Sequence, residues 1–136
     1  MTHVFTYGSL MFEQVWNEVV RGIYRSCPGT VSGFVRRSIQ HEHYPAMLPG
    51  PVSSKVEGVL YLDIDAEDLA RLDQFEGSIY DRRDVQVMTD NNIHAAQAYV
   101  LNDSYRNLVS EQEWDPKKFQ DEGIHQFLGG YFGFDR

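Results

Sequence analysis

Apolar residues fall at Phe12, Val15, Trp16, Val19 and Val20, a spacing of three and four that marks one face of a helix. Gly22 is a natural end for it. Before this helix, His3 to Thr6 reads as a short, mostly apolar strand, and Tyr7-Gly8-Ser9-Leu10 breaks it. Gly29 to Gln40 is rich in β-branched residues and predicts a strand. His41 to Pro51 holds three prolines and a glycine and predicts a loop. From Lys55 to Ile64 the pattern is again that of a strand, with Val56, Gly58, Leu60 and Leu62 alternating with Glu57, Val59, Tyr61 and Asp63. Apolar residues on both faces place it centrally in a sheet.

A second helix follows over Ala66–Glu76. Asp65 suits its N-cap, Glu67 and Asp68 suit its first turn, and Gly77 suits its end. Leu69, Leu72 and Phe75 form its apolar stripe. Tyr80 to Met88 and Ile93 to Leu101 predict two strands joined by a turn at Thr89-Asp90-Asn91-Asn92. After a polar loop, Pro116 opens a last helix with Phe119, Ile124, Phe127 and Leu128 on its apolar face. This order predicts an α+β protein, a small mixed β-barrel or curled sheet with a few helices. With 136 residues, one domain spanning residues 1–136 is expected.

Composition narrows the function classes without naming one. The net charge of -8 opposes binding to a phosphate backbone, and Arg36-Arg37 and Arg82-Arg83 are pairs rather than a basic stripe, so no nucleic-acid partner is expected. No apolar run approaches the roughly 20 residues of a membrane helix, and the N-terminal stretch has no signal-peptide core, so no membrane partner is expected. Cys27 is the single cysteine. A reducing, cytoplasmic setting is the expectation. Within Ser-Cys-Pro-Gly, Cys27 reads as a loop residue, not a nucleophile. His41 and His43 would share a face if extended, but no third ligand is evident, so no metal is expected. The aromatic stretch Phe127 to Phe134 reads as core packing or as a cover over a cleft.

Two stretches carry candidate chemistry. In Tyr7-Gly8-Ser9-Leu10, a glycine between strand and helix lets the backbone approach a ligand, and the amides that follow favour an anion. The plain alternative is a tight turn with Ser9 as a cap. The second stretch is Phe75 to Arg83, FEGSIYDRR. Glu76 sits at the C-terminal end of its helix, where the dipole disfavours a negative charge; partial burial would disfavour it further. An acid so placed suits proton transfer near neutral pH. A solvated glutamate at a frayed end is the alternative. Tyr80 and Arg82 are two apart and share a strand face, where they could bind a substrate or hold the acid; Arg82 could equally pair with a nearby acid. Asp81 and Arg83 point to the other face.

Together these pieces resemble the gamma-glutamylcyclotransferase-like family. Val4-Phe5-Thr6-Tyr7-Gly8-Ser9-Leu10, then Gly58-Val59-Leu60-Tyr61-Leu62, then Leu69 to Arg82 with its Phe75-Glu76-Gly77 core carry the likeness, which runs to about Leu101. The resemblance implies a small mixed barrel around one cavity. It implies release of 5-oxoproline from a gamma-glutamyl small molecule, with no metal and no cofactor. It makes Glu76 the proton-transfer residue, gives Tyr7, Gly8, Ser9 and Leu10 the gamma-glutamyl end of the substrate, and puts Tyr80 and Tyr99 in the cavity.

Those residue types suit the reaction. The substrate's own α-amine attacks its γ-carbonyl, so the protein has chiefly to hold a bent conformer. One glutamate can take a proton from the amine and return one to the leaving group. Loop amides or a tyrosine hydroxyl could serve the developing oxyanion. A non-catalytic module binding a small carboxylate metabolite in the same cavity is the alternative from a different class. A hydrolase pairing Glu76 with Asp73 or Asp81 is a third, but spacing puts neither acid dependably on the face of Glu76.

Overall fold

The computed structural model describes residues 1–124. Five strands close a barrel in the order β1 (Thr2–Thr6), β5 (Lys55–Ile64), β2 (Ser26–Ser32), β6 (Tyr80–Met88) and β7 (Ile93–Leu101). All neighbours run antiparallel except β7 and β1, whose parallel pairing of Val4 with Gln97 and Phe5 with Ala98 completes the ring. A second sheet has the order β4 (Pro45–Pro49), β3 (Phe34–Ile39), β8 (Val109–Glu113). Helix α1 (Glu13–Val19) follows a single 3-10 turn at Ser9–Met11, and α2 (Ala66–Glu76) lies between β5 and β6. The mixed barrel with a few helices is the predicted α+β class.

The strongest sequence signals became the expected elements. β5 pairs on both sides, with β1 and β2, as its two apolar faces require. Asp65 accepts a hydrogen bond from the Asp68 amide and caps α2, and Gly77 ends it at φ 80°. β6 and β7 form a hairpin in register from Tyr80–Leu101 to Met88–Ile93, and the Thr89 amide donates to the Asn92 carbonyl across the turn.

Other expectations are corrected. The predicted strand from Gly29 to Gln40 is two strands in different sheets. Gly33 separates them at φ 82°, a backbone that residues with a Cβ seldom adopt. The predicted loop from His41 to Pro51 contains β4, and Ala46, Met47 and Leu48 are buried. β4 is an edge strand, so its prolines interrupt no ladder on the outer side. β8 lies in what reads as polar loop. Cys27 is in β2, opposite Leu60, rather than in a loop. His41 has φ 67° in a turn, so His41 and His43 are not extended on one face. α1 ends at Val19, ahead of Gly22. In the last helical segment Phe119 and Ile124 are buried; Phe127, Leu128 and the aromatic stretch to Phe134 lie outside the described residues. Among the described residues no helix is long and apolar enough to cross a membrane.

Two close contacts fix β5 in place. The indole of Trp16 stacks on Tyr61 at 3.6 Å between centroids, joining α1 to β5. Gly58 faces β1, where a Cβ would stand 2.0 Å from the Thr6 carbonyl oxygen and 2.8 Å from the Phe5 ring. Backbone on one side and an aromatic on the other leave no room to yield. Gly58→Ala is therefore expected to destabilise the barrel by about 1–3 kcal/mol, through overpacking. A thermal melt with an unchanged midpoint would contradict this.

Candidate active site

The strand-to-helix turn after β1 and the C-terminal end of α2 meet at one cavity. It is narrow and partly open to solvent. Tyr7, Gly8, Ser9, Leu10, Glu76, Tyr80 and Tyr99 all line it. These are seven of the eight site residues expected from the sequence. Strand β1 ends at Thr6, and the chain turns at Gly8 into the 3-10 turn, whose first amides have no partner within it. Gly8 packs tightly here, since a Cβ would lie 2.8 Å from the Pro45 ring.

Arg82 is the exception. Its side chain does not line the cavity; its Nε pairs with Asp73 Oδ1 at 3.2 Å. The same Asp73 oxygen accepts a hydrogen bond of 2.7 Å from the Tyr99 hydroxyl. The Arg82 side chain therefore reaches the cavity residue Tyr99 through Asp73, while its backbone pairs with Tyr99 across the hairpin. Asp81 accepts from Asn102 Nδ2 at 3.0 Å and pairs with Arg83 at 3.6 Å, away from Glu76.

Glu76 is the last residue of α2 and is half-buried at the cavity. Burial, followed by the negative charge of Asp73 one turn back, pushes its carboxyl up from 4.5 to about 8. The acid is thus predominantly protonated at neutral pH in the empty protein. The same environment pushes Tyr7 and Tyr99 above the usual phenol range. Burial dominates for both; the charge of Glu76 adds to each, and the bond to Asp73 adds to Tyr99.

A phenol has one proton to donate, and here each is directed at the protein. Tyr7 donates to the Tyr99 carbonyl. Tyr80 donates to the Pro45 carbonyl at 2.7 Å. Tyr99 donates to Asp73, and Tyr44 bonds the Glu42 carboxylate. The protons of these tyrosine hydroxyls are therefore committed to the protein. Donors for a negative charge are left to the backbone of the Gly8–Leu10 turn and to Ser9.

Sequence reasoning missed Tyr44 and Pro45 as cavity residues, because β4, which begins at Pro45, was read as loop together with Tyr44 just ahead of it. It also underrated Asp73. The i, i+3 spacing to Glu76 was a usable signal, since residues three apart on a helix are neighbours. Among the described residues no cluster of His, Cys, Asp and Glu could hold a metal ion.

Residues 4–116 match the family described as gamma-glutamyl cyclotransferase, AIG2-like. AIG2-like protein D of Arabidopsis thaliana is 39% identical over 93 residues, which is 68% of this chain and 60% of the relative. The match therefore spans less than two thirds of that relative's length. AIG2-like protein C of the same plant is 34% identical over 128 residues, covering 92% of this chain and 73% of the relative. A solved structure named gamma-glutamyl cyclotransferase shares the fold, with a TM-score of 0.65 at 16% identity over 99% of this chain and 90% of that one. On the match that runs from Val4 through the barrel and the second sheet to Pro116, the chain belongs to the gamma-glutamyl cyclotransferase, AIG2-like family.

Proposed function

We propose that the protein is a cofactor-independent cyclotransferase that releases 5-oxoproline from a gamma-glutamyl amine, amino acid or peptide, with Glu76 moving the proton. The observation that carries this reading is Glu76 itself. Its carboxyl is held up to about 8 in the cavity that the Gly8–Leu10 turn also lines.

The substrate brings an α-ammonium, an α-carboxylate and a γ-amide. The ammonium favours the Glu76 carboxylate, because an opposite charge lowers the pKa that burial had raised. One proton then passes from the nitrogen to Glu76. The amine attacks the γ-carbonyl carbon, the new C–N bond closes the five-membered ring, and the carbonyl pair moves onto oxygen. Amides of the Gly8–Leu10 turn serve as preorganised donors to that oxyanion and, at Gly8, to the substrate's α-carboxylate. Collapse breaks the original C–N bond. The leaving nitrogen takes the proton from Glu76 and later one from solvent, while the ring nitrogen releases its second proton. No water is consumed. Acid and base roles fall to one group, efficient because its pKa lies near the working pH. The acceptor lone pairs of Tyr99 suit the substrate's ammonium. The cytoplasmic setting expected from the single free cysteine belongs to the same proposal.

Incubating the pure, folded protein with a panel of gamma-glutamyl amines, amino acids and dipeptides should yield 5-oxoproline from at least one member. Saturable binding of these compounds without any 5-oxoproline would instead mark a binding module.

A further inference from the structure

Arg36, on β3 of the second sheet, is used by none of the steps above. Its half-buried guanidinium reaches across to the barrel. Nη1 donates to the Tyr7 carbonyl at 2.8 Å and to the Glu57 carbonyl at 3.2 Å, and the group lies 5.3 Å over the Trp114 ring. Neither bond goes to a carboxylate. Burial lowers its pKa, and Glu113 and Glu57 offset this only through space. A half-buried cation whose bonds go to carbonyls retains much of its desolvation cost. Its position relative to the cavity gives it a use.

The carbonyl it binds belongs to the Tyr7–Gly8 peptide, which is trans, as are all described peptide bonds. In a trans peptide the C=O and the following N–H point in opposite directions. Gly8 lines the cavity, and Arg36 does not. Arg36 thus grips this peptide from behind. We propose that Arg36 is a positioning residue that fixes the Tyr7–Gly8 peptide plane, so that the Gly8 N–H faces the cavity as a donor to an anionic ligand group. The guanidinium also pulls electron density toward the carbonyl, which makes the N–H on the other side a stronger donor, as in any chain of coupled hydrogen bonds. Its positive charge stands one peptide behind the place where the substrate's negative charge would lie. The cost of a cation without a bonded counter-ion is offset further when an anion occupies the cavity. Packing over Trp114 and the bond to Glu57 hold the guanidinium at this distance.

This inference rests on the proposed reading of the cavity, and its test separates the two. Binding of 5-oxoproline and of its uncharged amide is measured by calorimetry at pH 7 on wild type, Arg36→Met, Arg36→Gln and Arg36→Lys. Wild type should prefer the carboxylate by about ten-fold or more, the scale of one charge-assisted hydrogen bond. Arg36→Met should erase that preference while its affinity for the amide changes little. Arg36→Gln, which can still donate to the Tyr7 carbonyl without a charge, should keep part of it, and Arg36→Lys should keep more. A folded Arg36→Met or Arg36→Gln protein with the wild-type preference overturns the role of Arg36 and leaves the cyclotransferase reading standing. Equal weakening for both ligands marks a merely structural residue and also overturns it. If Arg36→Met does not fold, Arg36→Gln and Arg36→Lys decide by the same ratio. If wild type shows no preference for the carboxylate, or binds neither compound, the anion site itself is wrong and the proposal falls; 5-oxoproline release in the substrate panel then judges the cyclotransferase reading separately.

Discussion

Glu76→Gln is expected to lose turnover by at least about 100-fold, the scale of a positioned general acid–base, and at the same time to be more stable than wild type in alkaline solution. Both effects have one cause. In the folded protein the carboxyl is held up to about 8, against 4.5 in the open chain. Between those values the folded state keeps a proton that the unfolded state has released. Stability of the wild type therefore falls as pH rises through this window, by linkage. Above about 8 the fold carries a desolvated negative charge beside Asp73. Glutamine keeps the shape of the side chain and has no proton to lose. The two proteins should have similar denaturant midpoints near pH 4.5 and diverge toward pH 9, by on the order of 2–4 kcal/mol, since each tenfold difference in proton affinity between the folded and open chain is worth about 1.4 kcal/mol. Urea titrations at several pH values give this directly. Parallel curves would mean that Glu76 is solvated like any surface acid. An active Glu76→Gln protein would mean that another group carries the proton.

The second large effect is expected far from the cavity, at Asp68. The side chain is fully buried on α2 and collects the segment that follows α1. Its oxygens accept from the Arg21 amide at 3.0 Å, the Gly22 amide at 2.9 Å, the Tyr24 hydroxyl at 2.6 Å and Arg71 Nη1 at 2.6 Å. Burial alone would raise its pKa, but these four donors outweigh it and hold the carboxyl far below the ordinary range. Asp68→Asn would turn an NH₂ group toward two of the donors and leave Arg71 only the longer pairing with Glu67 at 3.9 Å. The expected loss is about 3–5 kcal/mol, as for other broken buried pairs, a large share of a typical domain's stability. The pH dependence has the opposite sign to that of Glu76. A depressed folded pKa contributes stability that is present above about pH 4 and lost as pH falls below it. The wild type should thus show an acid limb in its unfolding profile that Asp68→Asn largely lacks. A shift of under 1 kcal/mol would show that water replaces these bonds easily.

The contrast between these two acids shows what could be read from the chain. Asp68 and Glu76 sit on one helix, whose cap, stripe and glycine stop were all legible. Local rules explained Asp68 as a favourable charge in a first turn. Its burial depends on Arg21, Gly22 and Tyr24, which only the folded chain brings to it. Elements with strong local signals, β5, α2 and the β6–β7 hairpin, stand where the pattern put them. β4 and β8 were missed because their pairing partner supplies the reason for them. Pro45 and Pro49 read as breakers, and Val-Ser-Glu-Gln-Glu has too little apolar alternation to signal a strand; both pair with β3. That sheet also holds Arg36, so its absence from the sequence reading hid the grip on the Tyr7–Gly8 peptide. The meeting of the Tyr7–Leu10 turn with Glu76 was legible from the motif resemblance, not from periodicity. The placement of Arg82 on Asp73 was one of two open readings, and the geometry selects it.

The parallel pairing of β1 with β7 gives the barrel a temporal order. Val4 finds Gln97 only after most of the chain has been made, and closing so long a loop is entropically costly and slow. β1 also needs β5, so the first strand waits for partners from the middle and the end of the barrel sequence. The turn that lines the cavity follows directly on β1. Refolding from denaturant should therefore recover the α2 and β6–β7 backbone signal before the Tyr7 side of the cavity assembles, and a chain cut ahead of β7 would lack the ring that holds this turn against Glu76.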